Sequence, residues 1–130
     1  MTAEVDLWVI AGLQLLAAVG IAAFWVVWLR SDHDAEWLPE GYVEHERPFV
    51  WADGVLAAVL VASAALLLAG HPLGRSLALI ASGMLAFLGV LDLAYFTRHR
   101  MFARRRGGVG NAVVVGGVLA LSLLLAVRFA

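Results

Sequence analysis

Residues 7–29, LWVIAGLQLLAAVGIAAFWVVWL, carry no charge, and Gln14 is the one strongly polar side chain among them. At about 1.5 Å of helical rise per residue, the run is longer than a hydrocarbon core of about 30 Å is thick. A spanning helix accounts for it. A cleaved leader is the competing reading, but Glu4 and Asp6 stand where a leader needs positive charge, and no small-residue cleavage site follows a short apolar stretch. The run is expected to remain as an anchor.

The rest of the chain follows the same pattern. Of its 130 residues, 63% are hydrophobic, and the mean hydropathy of +0.91 lies far above that of an aqueous domain, which is about half apolar. A short chain has too much surface per volume to hide such runs from water, so the apolar surface is expected to face lipid. Cysteine is absent, which removes disulfides, thiolate zinc sites, iron–sulfur ligation and thiol redox chemistry together. Lysine is absent too, and all 9 basic residues are arginine.

Three further spans are expected. The second, 48–69, begins at Pro48, whose missing N–H costs nothing in a first helical turn. The outer turn 70–74, GHPLG, breaks the helix and sends span three, 75–97, back antiparallel beside it. Span four covers 109–127. The fold class is therefore all-α: an integral membrane protein with four transmembrane helices in an up-down bundle, forming a single membrane domain over 1–130. Connections 30–47 and 98–108 hold Arg30, Arg47, Arg98, Arg100, Arg104, Arg105 and Arg106, against Arg75 and Arg128 on the other side. By the positive-inside rule those two connections are cytoplasmic, and both termini lie outside the cell membrane. Trp25, Trp28, Trp37, Tyr42, Phe49, Trp51, Tyr95, Phe96 and Phe102 cluster near the same boundary. They are expected to form an interfacial belt, with an aromatic-walled ligand site as the alternative.

Lipid gives no hydrophobic drive for helix association, so small residues must let backbones approach. Span four offers Gly108, Ala112, Gly116 and Ala120 every four residues; spacing leaves open whether that stripe meets this chain or a second subunit.

Two acids interrupt the spans, and a carboxylate in a membrane must be protonated, paired or hydrated. Asp53 and Asp92 lie at nearly equal distances along the chain from the 70–74 turn, about 25 Å at helical rise. With Asn111 they form an expected polar layer. As structure, the acids would pair with Arg47, Arg98 or Tyr95, or accept from Asn111. As function, two neighbouring carboxylates cannot both ionise cheaply and could carry a proton or hold a cation. Around the layer stands a polar cluster of Glu46, Arg47, Tyr95, Arg98 and His99, in which Asp92, Tyr95 and His99 share one helical face. His45 and His99 lack the spacing that fixes two ligands on one helix, and none of the four histidines lies within a span, so no metal, haem or other cofactor is expected.

Between Arg30 and Arg47, Asp32, Asp34, Glu36, Glu40, Glu44 and Glu46 stand without a base, whereas Arg98–Arg106 is basic apart from His99. These connections could dock on each other. Alternatively Arg100, Arg104, Arg105 and Arg106 would hold anionic lipid head groups, each contributing on the order of 1 kcal/mol. Topology already explains the basic run, so nucleic acid is not an expected partner; the bilayer, a second copy or another membrane protein is. The chain resembles small multidrug exporters and small fluoride channels in size alone: small exporters carry a Glu inside the first span, where this chain has Gln14. The expected function is an accessory or interaction protein of a prokaryotic cytoplasmic membrane. Its rivals are a small proton- or cation-coupled carrier or channel using Asp53 and Asp92, and an interfacial lipid-acting enzyme using His45, Glu46, Asp53, Asp92 and His99.

Overall fold

A computed structural model describes residues 3–103 and 107–130. The order is α1 (Ala3–Arg30), α2 (Tyr42–Glu46), α3 (Phe49–Leu68), α4 (Pro72–Arg98) and α5 (Gly108–Phe129), with no strand among the described residues. Four helical stretches there are long and apolar enough to cross a membrane: Val5–Arg30, Tyr42–Leu68, Pro72–Arg98 and Gly108–Phe129. The chain is an all-α, multi-pass membrane protein with four spanning helices. Its helices group into two compact units, Met1–Ala78 and Leu79–Ala130, with the boundary inside α4.

In the first unit α1 packs along α3. The buried side chains fall on one face of each helix, mostly at steps of three, four or seven residues: Ile10, Ala11, Gln14, Ala18, Trp25 and Trp28 on α1, and Leu56, Leu60, Ser63, Ala64 and Leu67 on α3. That is the spacing of knobs-into-holes seams. Cross-links Gln14–Ser63 and Trp25–Asp53 show the two helices to be antiparallel. Their outer faces are apolar as well, with Leu16, Val19, Val27 and Val55 exposed. An aqueous helix would put polar groups there; facing lipid, it has no reason to.

Span two starts earlier than expected. A helical turn, α2, precedes Pro48, and Arg47 (φ −53°, ψ −43°) and Pro48 (φ −63°, ψ −23°) are themselves helical. Pro48 lacks an N–H, so the ladder breaks locally into tighter bonds, Val50 N–H to Arg47 O and Trp51 N–H to Pro48 O, both 3.2 Å. The helical path thus runs on through the proline.

The turn between α3 and α4 is tighter than the expected 70–74. Gly70 at φ +74° closes a Schellman motif in which His71 N–H donates to Leu66 O and Gly70 N–H to Leu67 O. Pro72 then opens α4 at once, and His71 Nδ1 accepts from Leu73 N–H at 3.1 Å, occupying one of the new helix's spare donors. Gly74 therefore lies in the first turn of α4. A Cβ there would stand 2.6 Å from the backbone N of Leu67, so only glycine permits this approach.

In the second unit, Ser82 and Ser122 lock α4 to α5 reciprocally, each hydroxyl donating to the other residue's carbonyl at 2.7 Å. Gly89 brings α4 against Leu119, whose Cδ2 would lie 2.6 Å from an added Cβ. The buried face of α5 is Gly108, Val115, Ser122, Leu125 and Phe129. Of the small-residue stripe read from sequence, Gly108 is buried, whereas Ala112, Gly116 and Ala120 are exposed.

Candidate functional site

Asp53 lies in the second turn of α3, half-buried, on the seam face facing α1. Its Oδ2 accepts from Trp25 Nε1–H at 2.8 Å. Arg47, expected from sequence as a partner beside Arg98, Tyr95 and Asn111, does not make this contact. Arg47 is exposed, and the Asn111 side-chain amide donates to Met101 O at 2.7 Å, tying the start of α5 to the preceding connection. Trp25 serves because it reaches the acid from the partner helix while its ring fills the seam.

Trp25 opens an aromatic ladder towards the loop after α1. Its ring meets Trp28 edge-on, with centroids 5.2 Å apart. Trp28 Nε1–H in turn donates to the Tyr42 hydroxyl at 3.1 Å. The His33 ring lies 4.2 Å from that of Trp28, placed there by a left-handed backbone, φ 57°, that non-glycine residues seldom adopt. Both tryptophans are only 6% exposed and act as packing. Trp51, 79% exposed, fits an interfacial belt, and Trp37 is exposed as well. Glu46 is buried on α2, and the adjacent His45 ring packs near Phe49, centroids 5.4 Å apart.

In the second unit Asp92 is half-buried on α4. Tyr95 and His99 share its face with rings 4.5 Å apart, and Phe96 meets Phe102 at 5.7 Å. Arg98 and Arg100 are exposed, Arg100 at φ 56°. Arg104, Arg105 and Arg106, assigned from sequence to anionic lipid, lie outside the described residues. Among the described residues no three His, Asp or Glu side chains come together as a metal-binding group.

The most buried polar chain was not anticipated as a connection. Gln14, 0% exposed, donates from Nε2 to Ser63 Oγ at 2.9 Å, and Ser63 Oγ–H donates to Gly74 O at 2.8 Å. One side-chain amide and one hydroxyl so join α1, α3 and the first turn of α4. The Gln14 Oε1 has no hydrogen-bond partner among the described residues. The signal in sequence was Gln14 itself, alone in an apolar span; Ser63 looked like one more small residue.

The comparisons add no assignment. No protein-family model matches this chain, nor does any curated protein or solved structure.

Proposed function

We propose that this chain is a small accessory or interaction protein of a prokaryotic cytoplasmic membrane, its in-membrane polar residues holding helices together. The observation that carries the reading is the Trp25–Asp53 hydrogen bond: the acid is engaged by a donor that belongs to the packed seam. The Gln14–Ser63–Gly74 chain and the Ser82–Ser122 pair follow the same pattern, each linking one helix to another. A transport site needs carboxylates presented to a hydrated path, whereas a tethering residue needs a fixed donor across a helix pair.

In this reading connections 30–47 and 98–108 face the cytoplasm and both termini face outward, as the arginine distribution favours. Asp53 and Glu46 in the first unit, and Asp92, Asn111, Tyr95, Arg98 and His99 in the second, then stabilise the cytoplasmic ends of their own units. Arg100 and Arg104–Arg106 meet anionic head groups, and the acidic loop is presented to a partner protein.

The test is reconstitution of the wild type and an Asp53→Asn/Asp92→Asn variant into liposomes carrying pH- and potential-sensitive dyes. Neither is expected to pass protons or monovalent cations faster than empty liposomes. Flux in the wild type that disappears in a folded variant would replace this reading with the carrier. A reporter fused after Ala130 is expected to be active outside the cytoplasm; cytoplasmic activity would invert the topology.

A further inference from the structure

The outward face of the α2–α3 helix carries three features in a fixed order. Glu44, Arg47 and Trp51 are exposed and spaced by three and four residues along a backbone that stays helical through Arg47 and Pro48, so they stand on one face. That face lies opposite the seam of Asp53, Leu56 and Leu60. Below Trp51, Gly54 has open space around it, and Val55 and Ala58 are exposed. The result is an acid, a guanidinium and an indole above an exposed apolar stretch of Gly54, Val55 and Ala58.

Depth decides what this face meets. Tyr42–Leu68 is 27 residues long, about 40 Å at helical rise, whereas the hydrocarbon core is about 30 Å thick. If Leu68 ends at the opposite boundary, the first two turns, with Glu44 and Arg47, stand in the head-group layer. The Trp51 backbone then lies about 25 Å from Leu68, within one turn of the hydrocarbon boundary, from which an indole leaning towards the helix N-terminus reaches acceptors at the acyl ester carbonyls.

We propose that this face binds a phospholipid whose head group carries an ammonium beyond its phosphate, as phosphoethanolamine does. From water inward such a lipid presents ammonium, phosphate, ester carbonyl and acyl chain. From water inward the helix presents the Glu44 carboxylate, the Arg47 guanidinium, the Trp51 indole and the exposed apolar stretch of Gly54, Val55 and Ala58. Arg47 alone would draw any phosphate. Glu44 adds selectivity, because it attracts the ammonium and repels a purely anionic head group such as phosphoglycerol. This assignment is separate from the anionic-lipid role of the Arg98–Arg106 connection and does not depend on which side of the membrane is cytoplasmic.

The experiment is quenching of tryptophan fluorescence in vesicles of digalactosyldiacylglycerol, an uncharged lipid with neither phosphate nor ammonium, containing dibrominated phosphatidylethanolamine or dibrominated phosphatidylglycerol at equal mole fraction. A Trp51→Phe variant supplies the signal of the other four tryptophans for subtraction. The Trp51 component is expected to prefer the ethanolamine lipid by about fivefold, the fold-change that one head-group charge contact confers. Glu44→Gln is expected to abolish that preference while still binding both lipids, and Arg47→Gln to weaken both. Circular dichroism establishes that each variant is folded. Equal quenching by both lipids in the wild type means ordinary annular contact and overturns the proposal, as does a preference for phosphatidylglycerol or one that survives Glu44→Gln. Absence of Trp51 quenching by either lipid means that a second copy or another protein covers the face, and overturns it as well.

Discussion

Removing either end of the Gln14–Ser63 hydrogen bond is expected to have unequal consequences. Ser63→Ala leaves Gln14 buried with both ends of its amide unpartnered, since Oε1 already lacks a donor. Stranding a buried polar group costs about 1–3 kcal/mol. The lost Ser63–Gly74 bond adds about 0.6 kcal/mol, the average for side-chain hydrogen bonds between membrane helices. The sum is about 2 kcal/mol or more. Gln14→Leu loses the same inter-helix bond but also removes the stranded oxygen, and Ser63 keeps its contact with Gly74 O. Its net effect is expected to lie within about 0.5 kcal/mol of wild type, because deleting an unsatisfied group offsets the lost bond. The double variant should then be more stable than Ser63→Ala alone. Reversible unfolding in mixed micelles with rising dodecyl sulfate, followed by circular dichroism, measures all three. If Gln14→Leu is as damaging as Ser63→Ala, or the double variant is the worst of the set, the account of the Gln14 amide is wrong.

Trp25→Phe should cost about 1–3 kcal/mol in the same assay, because Asp53 loses the donor to its carboxylate. Asp53→Asn retains an oxygen acceptor and should cost less, so the reverse order would refute the tethering role. Gly74→Ala is expected to be more damaging than either of the next two glycine replacements, as its Cβ strikes the Leu66 and Leu67 backbone. Gly89→Ala meets the movable end of Leu119 and should cost about 1–3 kcal/mol, the range for overpacking, whereas Gly116→Ala, with open space around it, should be neutral or stabilising. Equal effects at all three positions would show that these close approaches do not constrain packing. Ser82→Ala and Ser122→Ala should each cost about 0.6–1.7 kcal/mol and couple by about 0.5 kcal/mol or more in a double-mutant cycle, since the two hydroxyls form one reciprocal pair with their oxygens 3.5 Å apart. Strict additivity would show that the two hydroxyls act independently and would refute the reciprocal pair.

Much of this architecture is legible from residue order alone, because the length of an uncharged run and the reach of a hydrocarbon core are both one-dimensional quantities. Residues 7–29 mark α1 to within a turn, and the glycine and proline of 70–72 mark the reversal. Hydropathy fails where lipid is the outer solvent: the faces of α1 and α3 are apolar all round, so periodicity does not tell the seam from the lipid side. Tertiary packing therefore chose which tryptophans turn inward, and made Trp25 the donor to Asp53 where arginine or asparagine had looked equally able. It also chose Ser63 from among similar small residues to link Gln14 with Gly74, and placed α5's contact on Val115, Ser122 and Leu125 while Gly116 and Ala120 face outward. Partner choice depends on helix rotation and register, which close contact between helices sets and the order of residues along one helix does not.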